Sequence, residues 1–109
     1  CVAHGYSLAQ GLEQQKLAVA CGYWPLFRFD PRRAAEGGNP MKLDSAAPKG
    51  SLTDFTRNET RFRMLERVNP ERAAMLHELA ARSVKERFAH YQQMAATPEA
   101  TPANKSSTP

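Results

Sequence analysis

Cysteine is scarce in this chain of 109 residues, which contains two, Cys1 and Cys21. Two cysteines exclude the disulfide framework that holds many small secreted domains together. Long apolar runs are missing as well, since no stretch approaches the roughly 18 residues that a membrane-spanning helix needs. No signal peptide is visible in the sequence. We therefore expect no membrane among the partners of this chain.

Charge is not concentrated in any part of the sequence. The chain has 15 Lys and Arg against 11 Asp and Glu, with a net charge of +4. A nucleic-acid-binding protein gathers its cations on one face with aromatic residues between them. Here the arginines alternate with acidic residues along the chain, so we expect no nucleic-acid partner.

The first half of the sequence predicts one helix followed by short extended segments. Ser7 and Gln10 have capping-box spacing, which predicts a helix from about Ser7 to Cys21 that Gly22 ends. We expect its apolar face to include Leu8, Leu12 and Val19. The aromatic stretch 23–29 is extended, and a second brief strand is predicted at 41–43.

The surroundings of these extended segments favour an incomplete fold. Pro25 cannot donate to a ladder, which restricts the aromatic stretch to a short or edge strand. Residues 32–40 and 44–50 have the composition of loops. The aromatic residues have no evident partner sheet in this chain. This pattern fits the end of a larger domain better than a freestanding one.

The second half predicts two longer helices and a tail. Ser51 and Asp54 repeat the capping-box spacing, which predicts a helix as far as about Arg67. Asn69 followed by Pro70 predicts a new helix start, and that helix should reach about Ala95. Its buried stripe is expected to be Ala73, Leu76, Ala80, Val84, Phe88 and Tyr91. Residues 97–109 are polar and predict a disordered tail.

Few residues suggest chemistry by their spacing. Cys1 and His4 form a Cys-x-x-His pair, but a zinc site needs two further ligands, and Cys21, His77 and His90 form no second pair. Cys21 before Gly22 is interpreted as a small buried apolar residue. No Gly-rich phosphate loop is present. From these residues alone we expect a mostly helical segment of a larger protein.

One long block carries a family resemblance. The sequence Gly-Tyr-Trp-Pro-Leu-Phe-Arg-Phe-Asp-Pro-Arg at 22–32 closely resembles the C-terminal region of pyruvate:ferredoxin (flavodoxin) oxidoreductases. The resemblance extends to about Ala95 and includes several further motifs. These are Cys-Val-Ala-His-Gly at 1–5, Gly-Leu-Glu-Gln-Gln-Lys-Leu-Ala-Val at 11–19, Gly-Asn-Pro at 38–40, Leu-Asp-Ser at 43–45, Asn-Glu-Thr-Arg-Phe-Arg-Met-Leu at 58–65 and Pro-Glu-Arg-Ala at 70–73.

The resemblance implies a fold, a division of the chain and one metal ligand. Residues 1–96 would be the C-terminal portion of an α/β thiamine-diphosphate-binding domain, mostly α with short extended segments, and 97–109 the disordered tail. Cys1 would supply one thiolate to a [4Fe-4S] cluster whose other ligands lie upstream. Cys21 falls where family members carry a small residue, so it is not expected to be a ligand. Ligands of thiamine diphosphate and Mg²⁺ would lie outside this segment, which contains no catalytic residue.

The resemblance also implies a reaction. The complete cytoplasmic enzyme, expected to be a homodimer, would convert pyruvate and coenzyme A to acetyl-CoA and CO₂. Its clusters would pass the electrons to ferredoxin or flavodoxin. The segment alone would be inactive, and its main partner would be the remainder of the same enzyme.

Two alternatives remain open at the level of sequence. The first is a helical binding module anchored to a membrane by a lipid on Cys1. The second keeps the family and changes the substrate to a different 2-oxoacid, since no substrate-binding residue is assigned to this segment.

Overall fold

Five α-helices and one small antiparallel sheet make up the part of the chain that the computed structural model describes, which is Gly5 and residues 7–96. A 3-10 turn, Leu8–Gln10, leads into the first helix. The elements are α1 (Gly11–Ala20), β1 (Phe27–Phe29), α2 (Pro31–Ala35), β2 (Met41–Leu43), α3 (Leu52–Thr56), α4 (Thr60–Val68) and α5 (Pro70–Ala96). The prediction of a mostly α-helical chain with short extended segments is confirmed.

The two strands form a hairpin, in which Phe27 pairs with Leu43 and Phe29 pairs with Met41. The strand predicted at 41–43 is therefore confirmed. The prediction that the aromatic stretch has no partner strand is wrong, because β2 supplies one. The hairpin rests on α5, where the ring of Phe27 stacks on that of Tyr91 with a centroid distance of 5.2 Å.

The turn that follows β1 contains α2, where the sequence predicted a loop. The carboxylate of Asp30 accepts a hydrogen bond of 3.0 Å from the backbone N–H of Arg32, and Pro31 occupies the first helical position. An N-cap side chain followed by proline is a strong helix start. The prediction of a loop over 32–40 is wrong for its first four residues.

The single helix predicted from 52 to 67 is also wrong, because α3 and α4 are separated at 57–59. Ser51 caps α3 as predicted, accepting from the N–H of Thr53 at 3.1 Å. The interruption lies at Asn58, whose side-chain amide donates to the carbonyl of Asp54 and to Oε1 of Gln14, each at 3.2 Å. Side-chain bonds of this kind compete with helical geometry.

Helix α5 begins where the sequence predicted and ends one residue later than predicted. Asn69 caps it, accepting from the backbone N–H of Arg72 at 3.0 Å. Three of the six predicted stripe residues are buried: Ala73, Val84 and Phe88. Ala80 and Tyr91 are half-buried. Leu76 is largely turned outward, and His77 lies on the inner face in its place.

The buried face of α1 differs from the prediction. Leu8 and Leu12 are 63% and 76% exposed, whereas Gln14 and Ala18 are buried. The Ser7 side chain forms no cap, and the turn closes through a backbone bond from Gln10 to the Ser7 carbonyl. Gln14 is buried because both ends of its amide have partners, whereas the two leucines face away from α3 and α5.

A small core joins α1, α3 and α5. Its buried members are Ala18, Cys21, Leu52, Phe55 and Val84. Within the described residues, no side chain is less than 2% exposed. The core is therefore shallow, and its stability depends on a few close contacts.

Gly22 makes one of these close contacts. Its φ of +82° lies in the left-handed region, and a Cβ atom there would lie 2.7 Å from Cγ of Pro48 and 3.3 Å from Cγ1 of Val84. Glycine at this position lets the loop before α3 cross the end of α1. The helix stop that the sequence predicted at Gly22 is confirmed.

Replacing Gly22 with alanine tests this contact, with Gly37→Ala as the control. Gly37 has a φ of +81° and nothing within 4 Å of its Cβ position. We expect Gly37→Ala to lower the free energy of unfolding by about 1–2 kcal/mol through backbone strain. Gly22→Ala should lower it by about 2–4 kcal/mol, because steric overlap adds to the same strain. Urea denaturation of the full chain measures both, and equal losses would show that the close approach contributes nothing.

Candidate functional site

Two of the residues singled out by the sequence, Cys1 and His4, lie outside the described residues, as does the tail 97–109. The prediction that Cys1 is a metal ligand therefore stays a prediction. The described part of the chain does show how Gly5 is held.

Gly5 is anchored to the N-terminus of α4. Its carbonyl oxygen accepts hydrogen bonds from the backbone N–H of Thr60 at 3.0 Å and from the Thr60 hydroxyl. The φ of Gly5 is +64°, and a Cβ atom there would lie 2.7 Å from both Cβ and Oγ1 of Thr60. Arg63 in turn donates to the Thr60 hydroxyl at 3.1 Å. We call Gly5 and Thr60 the Gly5 anchor; it fixes the chain four residues after Cys1.

A buried polar network lies next to the Gly5 anchor, because Asn58 and Glu59 directly precede Thr60 in the chain. Nε2 of Gln14 donates to the carbonyl of Phe55 at 2.8 Å, and its Oε1 accepts from Asn58. The adjoining Glu59 side chain is 6% exposed and pairs with Arg61 at 3.1 Å. Burial acts to lower the pKa of Arg61, but hydrogen bonding and the charge of Glu59 outweigh it and the pKa is raised. The network therefore holds the link between α3 and α4 in one conformation, with its charges paired.

Cys21, by contrast, takes no part in a site. Its side chain is buried, and its Sγ donates to the carbonyl of Ala18 at 3.6 Å. The interpretation of Cys21 as a small buried apolar residue is confirmed.

Among the described residues, the two histidines on α5 belong to no group that could hold a metal ion. Nε2 of His77 lies 2.8 Å from Oγ1 of Thr53, a bond that ties α5 to α3. The ring of His90 lies 6.4 Å from that of Tyr91. Across Gly5 and residues 7–96, no three His, Cys, Asp or Glu side chains are grouped so that they can hold a metal ion. Nor does this range contain a helix that is long and apolar enough to span a membrane.

An apolar surface covers the outer side of α1. Leu8, Leu12, Trp24 and Leu26 are between 41% and 76% exposed. An open groove of about 600 Å³ runs past the last three of these residues and Val19. We call these five residues the α1 apolar face. A contiguous exposed apolar surface of this kind is typical of a site where another protein surface packs.

Sequence reasoning missed the Gly5 anchor and the network around Gln14. Both join residues far apart in the chain: 55 positions separate Gly5 from Thr60 and 41 separate Gln14 from Phe55. No local pattern predicts such pairs. The available signal was the residue types: a glycine, and the polar sequence Asn-Glu-Thr at 58–60, which joins α3 to α4.

Thr60→Val tests the Gly5 anchor, with Thr60→Ser as the control. Valine keeps the shape of threonine and removes the hydroxyl, whereas serine keeps the hydroxyl. Valine removes the hydroxyl's bond to the Gly5 carbonyl and its bond from Arg63. Each bond contributes about 0.5–1.5 kcal/mol, so hydrogen exchange at the amide of position 60 should be at least about twofold to tenfold faster in Thr60→Val. Thr60→Ser should exchange at nearly the wild-type rate. Similar exchange in the two variants would show that the hydroxyl does not hold Gly5.

Comparison with known proteins shows which proteins this chain is similar to. The chain matches no protein-family model. It is 48% identical over 95 residues to a pyruvate-flavodoxin oxidoreductase of Rhodospirillum rubrum, which covers 87% of this chain and 8% of that protein. It is 38% identical over 95 residues to a pyruvate:ferredoxin oxidoreductase of Moorella thermoacetica, again covering 87% of this chain and 8% of the relative.

A third relative carries a different name. The chain is 40% identical over 96 residues to the mitochondrial pyruvate dehydrogenase [NADP(+)] of Euglena gracilis, which covers 86% of this chain and 5% of that protein. In each case the match takes in nearly all the described residues and a small fraction of the relative. The chain therefore spans less than a tenth of the length of these proteins.

Proposed function

This chain belongs to the pyruvate:ferredoxin (flavodoxin) oxidoreductase family, and we propose that it acts as one structural segment of such an enzyme. The complete enzyme would convert pyruvate and coenzyme A to acetyl-CoA and CO₂ and would deliver the electrons to ferredoxin or flavodoxin. The observation that carries the proposal is the 48% identity over 95 residues to the Rhodospirillum rubrum protein. A match of 95 residues takes in most of the helices and the hairpin.

The shape of the segment supports a role inside a larger body. Its core is shallow, and the α1 apolar face is exposed on one side. Burying a side chain such as Trp24 or Leu12 contributes roughly 1.5–3 kcal/mol. In the proposed enzyme the remainder of the polypeptide covers this face. The segment by itself would be inactive, because the thiamine-diphosphate and substrate ligands are proposed to lie outside it.

The proposed metal ligand is Cys1. The described residues hold no group of three ligands, and the thiol of Cys21 is buried in the core. A cluster bound through Cys1 therefore takes its other thiolates from outside this segment. Bound there, a [4Fe-4S] cluster would carry electrons away from the thiamine-diphosphate site.

The Gly5 anchor limits how far the proposed ligand can lie from α4. Four peptide units separate Cys1 from Gly5, and a fully extended chain of that length spans roughly 14 Å. A fixed Gly5 carbonyl therefore confines Cys1 to the neighbourhood of the α4 N-terminus. We infer that the anchor and the buried network around Gln14 serve as a rigid support for the metal ligand.

The electron acceptor and the cell compartment belong to the same proposal. The three relatives carry flavodoxin, ferredoxin and NADP(+) in their names, so the acceptor varies among proteins that share this segment. We propose ferredoxin or flavodoxin for this protein, a cytoplasmic location and a homodimeric enzyme. Thiamine diphosphate and Mg²⁺ would bind residues outside the segment.

The proposal is tested on the full-length protein that carries this sequence. With pyruvate and coenzyme A, we expect anaerobic reduction of added ferredoxin or flavodoxin and release of acetyl-CoA in a fixed ratio. The same assay with 2-oxoglutarate should give much slower reduction. Equal or faster reduction with 2-oxoglutarate would show that the preferred substrate is a 2-oxoacid other than pyruvate. Absence of reduction with both substrates would contradict the proposed function.

A further inference from the structure

The β1–β2 hairpin has two faces of opposite character. Residues paired across an antiparallel ladder lie on the same face, so Phe27, Leu43, Phe29 and Met41 form one face. That face contacts α5, and Met41 is 5% exposed. Arg28 pairs with Lys42 and forms the other face, which is turned to solvent.

Charged residues of the neighbouring turn and helix extend this second face. We call the whole surface the charged hairpin face. Its members are Arg28, Asp30, Arg32, Arg33, Lys42 and Asp44. An open cleft of about 310 Å³ lies between Arg28, Asp30, Arg33, Pro40 and Lys42. With four cations and two anions, the surface carries a net charge of +2 (4 − 2).

The two carboxylates are already used by two of the arginines. Asp44 accepts two hydrogen bonds of 2.8 Å from Arg28. Asp30 accepts from the side chain of Arg32 at 2.9 and 3.0 Å. Within the described part of the chain, neither Arg33 nor Lys42 forms an ion pair. Arg33 and Lys42 are therefore the two cations of this face that have no direct ion pair.

The placement of Lys42 is unfavourable for the hairpin itself. Like charges directly opposite each other on a sheet are destabilising, and Lys42 lies opposite Arg28. The positive charges of Arg33 and Lys42 help to lower the pKa values of the two carboxyl groups. The pKa of Asp44 is lowered by its hydrogen bond from Arg28 and further by the charges of Arg28 and Lys42. The pKa of Asp30 is lowered by hydrogen bonds from Arg32 and further by the charge of Arg33.

The arrangement fits a protein surface better than a small anion. The cations come from both strands and from α2, and the guanidinium groups of Arg28 and Arg32 are already committed to carboxylates. Their side chains are 69% and 86% exposed, so no water-excluding pocket surrounds an anion. Arginine is one of the residues enriched at protein interfaces.

We propose that the charged hairpin face docks an acidic surface of another protein. Arg33 and Lys42 meet carboxylates of the partner, whereas Arg28 and Arg32 keep their own carboxylates and set the spacing. The proposal goes beyond the oxidoreductase function and does not depend on that reaction.

The test uses a fluorescent deca-glutamate peptide as the acidic probe and the full 109-residue chain. We expect binding at low ionic strength that weakens as salt is added. The double substitution Arg33→Gln, Lys42→Gln should weaken binding about fivefold to tenfold through the loss of two ion pairs. The control is Arg82→Gln with Lys85→Gln, which removes the same two charges from an exposed part of α5. It should weaken binding less than about twofold.

Three results would overturn the proposal. One is the absence of peptide binding to the wild-type chain. Another is equal weakening in the two double variants, which would show a response to net charge alone. The third is displacement of the peptide by inorganic pyrophosphate at a similar concentration, which would show a small-anion site. Thermal unfolding of each variant is measured alongside, and unchanged midpoints tie any loss of binding to the surface itself.

Discussion

The structure depends above all on the contacts of Phe55. Its ring is 5% exposed and lies 4.7 Å from the ring of Tyr23 and 6.5 Å from that of Phe62. Its carbonyl accepts the buried amide of Gln14. One residue of α3 therefore joins α1, α4 and the aromatic stretch before β1. In a core this shallow few other contacts connect those elements, and the Gly5 anchor rests on the same junction through Asn58 and Thr60.

This organisation explains how a segment with little core of its own holds Gly5 and the link between α3 and α4 in place. The buried side is polar as well as apolar, since Gln14 and Glu59 are both paired where they are buried. Such networks favour one arrangement because each broken bond leaves an unsatisfied group. The outer side of α1 is apolar and open, as expected of a surface that packs against more of the same enzyme.

The helix starts could be read from the sequence because their causes are local. Asn69-Pro70 marks the start of α5. Asp30-Pro31 carries the same signal for α2, although residues 32–40 were predicted to be a loop. The interruption between α3 and α4 could not be predicted, because Asn58 bonds to Gln14, 44 positions away. Leu8 and Leu12 were wrongly predicted to be buried for a related reason. Only the packed structure shows that the Gln14 side chain has hydrogen-bond partners where it is buried. Of the candidate site, the sequence indicated Cys1 through a family resemblance, and the Gly5 anchor emerged only from the fold.

We propose that Cys1 is a cluster ligand supported by this segment. Iron and acid-labile sulfide analysis of the full-length protein with Cys1→Ala tests it most directly, with Cys21→Ala as the matched control. The account predicts that Cys1→Ala loses the iron and sulfide of one [4Fe-4S] cluster per subunit, whereas Cys21→Ala keeps the wild-type content. A full complement of iron and sulfide in Cys1→Ala would contradict it.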